Sequence, residues 1–307
     1  MRHQRKFAVL KAWLLKIHRW ITLIFSIPLA ILIVTGLVLS FEPALTSGEV
    51  SKAVTLQSVE AALTKHDPAG AARSVVVRGY TGVLSIGLRP GEFAHVDLAT
   101  NEAVASPGIL AQIITTSRRL HETLLLDLGW LVTASTVAML VLIALGVTMG
   151  WPRLRHSLAG WHKGTGWILL PLLILSPLTG LLLAFGVTFA TPPAAGSGAP
   201  ALPLREAIRV VGGQYDLSRV TWIRPMRGAL RARVDDGGEM RLFTVTASGL
   251  QVTPRNWPRL IHEGNWHGYL SVFVNVVTSV GLVILISTGL LLWARRKLRR
   301  RPSAARA

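Results

Sequence analysis

The chain has 307 residues, half of them hydrophobic, with a formal net charge of +18 and no cysteine. Without cysteine it makes no disulfide, no thiolate-ligated iron–sulfur cluster and no haem attached through a CxxCH motif. The charge is not a nucleic-acid signal, because residues 2–19, 153–163 and 295–306 hold 16 Lys and Arg without a single Asp or Glu, each set beside an apolar run.

Those runs, residues 21–41, 128–152, 164–204 and 268–294, carry no charged side chain. At ~1.5 Å per residue each is long enough to cross a ~30 Å hydrocarbon core. In chain order, residues 1–20 read as a basic cytoplasmic segment and 21–41 as the first span. This span reads as a retained signal anchor. It exceeds the ~7–15 residues of a cleavable apolar region, and no small-residue cleavage site follows Phe41-Glu42-Pro43. Residues 42–120 form a first insert, with a helix over 56–65, strands over 75–78, 82–88 and 94–98, and a turn at Pro90-Gly91. The second span with its lead-in occupies 121–150, a cytoplasmic loop 151–163 and the third span 164–190. Pro28 is expected to kink the first span, and Pro171 and Pro177 the third. Residues 191–261 begin with a Pro/Ala/Gly linker (191–203). A second insert follows, with a helix over 204–212, strands over 220–224, 229–234 and 240–246, and a turn at Asp235-Asp236-Gly237-Gly238. The fourth span and its lead-in cover 262–293, and a basic tail covers 294–307. Basic excess in short loops and termini places these on the cytoplasmic side of a bacterial inner membrane, and both inserts in the periplasm.

The chain also resembles itself. His18 and His162 are 144 residues apart, as are Thr35-Gly36 and Thr179-Gly180. Glu60, Arg78 and Gly82 match Glu206, Arg224 and Gly228 at an offset of 146. Leu120-His121-Glu122 corresponds to Leu260-Ile261-His262-Glu263 with one residue inserted. Two span–insert–span repeats predict an α-helical membrane protein: a four-helix bundle of parallel repeats about an axis along the membrane normal, carrying two small α+β inserts. Such inserts are expected to pack on each other or on the bundle.

Four histidines occupy matched places at the span ends. His18 and His162 lie on the cytoplasmic side, and His121 and His262 on the outer side. Two imidazoles facing each other across the axis suit the two faces of one planar macrocycle. The plainer reading is that each is an interfacial anchor beside a tryptophan such as Trp20 or Trp161. His267 competes with His262 as the outer ligand: it matches His121 better by offset, whereas His262 matches by context. Five residues apart on a helix, the two do not share a face. Gly36, Gly146, Gly180 and Gly289 allow close approach of helices or of a macrocycle. No Asp or Glu lies inside a span, which disfavours an ion-coupled transporter.

The motifs His18-Arg19-Trp20, Thr35-Gly36, Leu120-His121, Trp151-Pro152-Arg153 after Gly146, Trp161-His162, Leu260-Ile261-His262-Glu263-Gly264, and Gly289 with Trp293 resemble the PepSY-associated transmembrane proteins. The inserts resemble PepSY-type units. The resemblance implies an inner-membrane ferric-chelate reductase with two b-type haems, ligated by His18 with His162 and by His121 with His262. The acceptor it implies is a ferric siderophore or other ferric chelate. With 14 residues after Trp293 there is no room for a fused flavin module, so the donor is expected to be a separate cytoplasmic protein, a reduced flavin or a membrane quinol. The chain needs no acid–base catalytic residue, because a haem does its own redox chemistry. Residues 188–269, net +4, include Arg224, Arg227, Arg231 and Arg233, which either attract an anionic chelate or form a solvated strand face. The competing functions are a membrane-tethered PepSY module that binds a peptidase or envelope partner, and a siderophore or metal transporter.

Overall fold

A computed structural model describes residues 2–48, 50–89, 91–151, 155–190 and 202–299, with side chains from Val9 onward. All but the last two residues of the expected linker, Pro90 of the first turn, Pro152-Arg153 and the tail from residue 300 lie outside the described residues.

In chain order the elements are α1 (Arg2–Ile24), α2 (Ser26–Leu39), α3 (Glu42–Ser47) and α4 (Leu56–His66). Strands β1 (Ser74–Arg78), β2 (Val83–Arg89), β3 (Glu92–Asp97) and β4 (Glu102–Val104) follow. Next come α5 (Ile109–Thr123), α6 (Gly129–Thr148), α7 (Leu158–Ile168), α8 (Leu170–Ala184) and α9 (Leu204–Gly212). Strands β5 (Val220–Met226), β6 (Ala229–Asp236), β7 (Glu239–Thr246) and β8 (Gly249–Val252) precede α10 (Trp257–Glu263) and α11 (Gly268–Arg299). The chain divides into two compact units: Met1–Ser40, Ser117–Val187 and Val274–Ala307 in one, Phe41–Thr116 and Thr188–Phe273 in the other.

The first unit is helical. Three stretches among the described residues, Ser26–Ser47, Gly129–Thr148 and Gly268–Arg299, are long and apolar enough to cross a membrane. Helices α7 and α8 make a fourth if the pair, bent by 67°, is one span. The bend has a chemical cause. Pro171 lies in the first turn of α8 and has no N–H to return to the preceding helix, so the chain breaks at Leu169. Pro28 acts similarly between α1 and α2, where Phe25 leaves the helix while its N–H still reaches the Ile21 carbonyl at 3.0 Å. Pro177 stays inside α8 without breaking it. Helix α6 packs against α1, α2 and α8. Helix α11 meets α7 and the break after it, where a side chain at Gly281 would collide with Leu169, and it meets the residue after α2 through a Ser40–Ser279 hydroxyl pair at 3.0 Å. Ile27, Val34, Val137, Val141 and Leu291 stay exposed on these helices. In water such surface would drive association; in lipid it needs no cover.

The second unit joins the two inserts into one sheet, ordered β4-β3-β2-β1-β5-β6-β7-β8 and antiparallel throughout. Strands β1 and β5 pair at Val75↔Ile223 and Val76↔Trp222. The in-facing side chains of both halves, including Val75, Leu84, Ile86, Val96, Ile223, Ala232 and Val234, form one core with Val59 and Leu63 of α4 and Ile208 and Val211 of α9. Each fully buried aliphatic side chain contributes about 1.5–3 kcal/mol. Neither half could bury this surface alone, which is why the inserts form one domain and not two. Arg205 of α9 reinforces the join by donating to the carbonyls of Leu63 and Asp67 at the C-terminal end of α4. Strands β4 and β8 extend the three-stranded expectation for each insert by one.

Candidate functional site

In the first unit, His18 of α1 and His162 of α7 come together with ring centroids 6.4 Å apart and planes at 86°. That exceeds the spacing of two directly hydrogen-bonded imidazoles, and the rings make no hydrogen bond to each other among the described residues.

The ring of His162 is fixed from one side. Its Nδ1 lies 2.9 Å from Thr288 Oγ1. The Thr288 hydroxyl spends its own proton on the Ile284 carbonyl one turn back. The hydroxyl oxygen can then only accept, so Nδ1 carries the proton and Nε2 keeps a free lone pair. Gly289, the next residue, lets the ring lie on the helix backbone: a Cβ there would sit 3.4 Å from His162 Cε1.

A similar seat holds His121. It lies on α5 and packs against the middle of α2, with Nδ1 3.1 Å from the Leu32 carbonyl and 3.1 Å from Thr35 Oγ1. A carbonyl only accepts, so this Nδ1 also donates. Thr35 Oγ1 donates to the Ile31 carbonyl at 2.7 Å, as Thr288 does to Ile284. A Cβ on Gly36 would stand 3.3 Å from His121 Cε1. Two histidines therefore rest on a Thr-Gly step with Nδ1 protonated and Nε2 directed elsewhere.

His18 differs. Leu145 precedes Gly146, where Thr288 precedes Gly289, so no hydroxyl is offered, and a Cβ on Gly146 would meet nothing within 4 Å. Among the described residues the buried Nδ1 of His18 has no side-chain partner, and the backbone group the ring approaches is that of Leu142 on α6. Among the described residues no group of three or more His, Asp or Glu side chains is placed to hold a metal ion, so ligation by these histidines would be pairwise.

His262 and His267 belong to the second unit and do not share a helix, contrary to the expectation from their spacing. Helix α10 ends at Glu263, and Gly264 takes the left-handed conformation (φ 69°) that terminates it. His262 is half-buried on α10; His267 is exposed before α11. Glu263 beside His262 accepts from Arg233, from Arg259 at 2.8 Å and from Asn265 at 2.9 Å, which ties α10 to β6. Among the unmatched histidines, His66 donates to the Asn101 carbonyl and His95 bonds Ser85, ordinary roles within the sheet unit. Arg224, Arg227, Arg231 and Arg233 lie on β5, β6 and their connecting turn.

The profile of the PepSY-associated TM region matches residues 15–296, nearly the whole chain. The chain belongs to this family. The match covers both the apolar helices and the sheet unit, so this PepSY-associated protein is a membrane protein whose small antiparallel sheet is part of the family region. No curated protein matches it. What the residue spacing missed in this PepSY-associated chain is Thr288. Its signal was available, because Thr-Gly occurs at 35–36, 165–166, 179–180 and again at 288–289 inside apolar runs.

Proposed function

We propose that this protein is a haem-b oxidoreductase of the bacterial inner membrane, carrying electrons from the cytoplasmic side to a ferric siderophore or other ferric chelate in the periplasm. In this reading the helices are a four-helix bundle of two parallel repeats, with both termini cytoplasmic and the sheet unit periplasmic. The observation that carries the proposal is the His18–His162 spacing. An imidazole bound through a ring nitrogen at ~2 Å puts its centroid about 3 Å from the metal, so ligands on opposite faces of one macrocycle have centroids about 6 Å apart. The separation in this structure is 6.4 Å.

The surrounding chemistry fits the same group. Thr288 holds His162 in the tautomer whose Nε2 is free to bind metal, and Gly289 removes the side chain that would tilt the ring. Thr35 and Gly36 do the same for His121. Its proposed partner is His262, with His267 the alternate. The haem, when bound, supplies one-electron transfer. The residues of the chain hold it, fix the ligand tautomers and keep water from the path with apolar helices.

The activity is tested by sealing the full-length protein into liposomes with reduced flavin inside, and ferric citrate with a ferrous-specific chromogenic chelator outside. The expected result is protein-dependent formation of the ferrous complex outside, lost in His162→Ala. A rate equal to that of protein-free vesicles would contradict the proposal.

A further inference from the structure

Strand β6 carries an anomaly on the face away from α4 and α9. Its register sets Arg231 directly opposite Arg224 of β5, and Arg233 follows on the same face. Like charges opposite each other on an antiparallel pair destabilise it. Arg224 lies over the Trp222 ring, 4.2 Å from its centroid, and Arg233 is paired with Glu263. Arg231 has neither kind of relief. It is 6% exposed, and its Nε has no hydrogen-bond partner among the described residues. Burial, then the charge of Arg227, pushes its guanidinium below the ordinary arginine value. Among the described residues no carboxylate faces this guanidinium, and an anion entering from outside would supply the missing counter-charge.

The turn beside it breaks a second local preference. Arg227-Gly228 is a two-residue hairpin with both residues at positive φ, 52° and 78°. Asn-Gly or Asp-Gly is the favoured pair there, and an arginine at the first place is strained. Both anomalies open onto one cavity of about 370 Å³, within the size range of small-molecule sites. Seven arginines line it; Arg241 is paired with Asp236, Arg233 and Arg259 share Glu263, and Arg227 and Arg231 have no carboxylate partner among the described residues. The lining carboxylate, Glu239, is already held by both Nε and Nη2 of Arg255, at 2.6 and 3.0 Å. The first insert shows a different arrangement on its own strands: Arg78 donates to Ser85 Oγ at 2.8 Å.

We propose that this cavity binds a small anion bearing two or more carboxylate groups, with Arg231 as its buried anchor and Arg227 closing on it from the hairpin. A guanidinium offers a planar fork that matches a carboxylate at two points, and the surplus of arginines calls for more than one negative group. Trp222, Met240 and Leu242 give the cavity apolar walls for the carbon skeleton. Arg255, Asn256 and Arg259 in its wall lead into α10, the helix that bears His262. The assignment of this anion as the acid groups of a ferric chelate rests on the function proposed above; its binding does not.

The test is calorimetric titration of the detergent-solubilised full-length protein with citrate, ferric citrate and inorganic phosphate. Saturable binding of citrate or ferric citrate is expected, weakened about tenfold to a hundredfold in Arg231→Gln and weakened at higher ionic strength. Arg89→Gln, on an exposed strand end outside the cavity, should bind as the unaltered protein does. If Arg231→Gln does not fold, Arg227→Gln on the exposed hairpin must show the loss. Undiminished binding in these cavity variants, or no saturation with either citrate species, overturns the site. Phosphate binding as tightly as citrate overturns the polycarboxylate assignment. A haem-bearing protein that ignores citrate defeats this inference alone, whereas a citrate-binding protein free of haem defeats the electron-transfer reading alone.

Discussion

Replacing His162 with alanine is expected to abolish one haem of the purified protein and leave the other in place. The residue has no replacement nearby: among the described residues no cluster of His, Asp or Glu stands ready to ligate a metal. The helix around it should survive, because alanine is the best helix former and α7 starts from its own Ser157 cap, which accepts from Gly160 N–H. His18→Ala should give the same spectrum, since its ring is the other half of the pair, 6.4 Å away. His121→Ala should remove the other haem. The measurement is haem per protein together with the reduced-minus-oxidised difference spectrum of each variant. Equal loss of both haems from every substitution would contradict two separable sites.

Gly289→Leu and Gly36→Leu are expected to act as selectively as the histidine substitutions while leaving every ligand present. At Gly289 the first added carbon already lies 3.4 Å from His162 Cε1, and at Gly36 3.3 Å from His121 Cε1. A branched side chain needs the space the ring now fills, so the imidazole must swing away from the Thr-Gly step and take its Nε2 with it. Each helix backbone can accept leucine, which has a higher helix propensity than glycine. The loss should therefore appear in haem content and not in secondary structure.

The apolar runs made the three to four candidate spans legible in the sequence because a bilayer demands length and absence of charge, two properties that need no tertiary information. The inserts' helices and six of their strands were legible from alternation and turn residues. Strands β4 and β8 were not, since three or four residues such as Glu102–Val104 carry too little pattern. The fusion of both inserts into one sheet was hidden for a different reason: the β1–β5 register depends on residues about 148 apart meeting in space. At the site, His18 and His162 could be paired by repeat. The Thr288 contact could not, because a hydroxyl that fixes a tautomer is visible only once α7 and α11 are packed. Gly264 after His262-Glu263 was a readable helix stop, and taking it into account separates His262 from His267 onto different segments.

The most direct test of the central claim is the absorption spectrum of the unaltered full-length protein, purified from haem-replete cells and titrated for haem against protein. Ligation by opposed histidines predicts a Soret band, b-type bands on reduction, about two haems per chain and no covalent attachment. A colourless preparation, with the helices intact by circular dichroism, would contradict it.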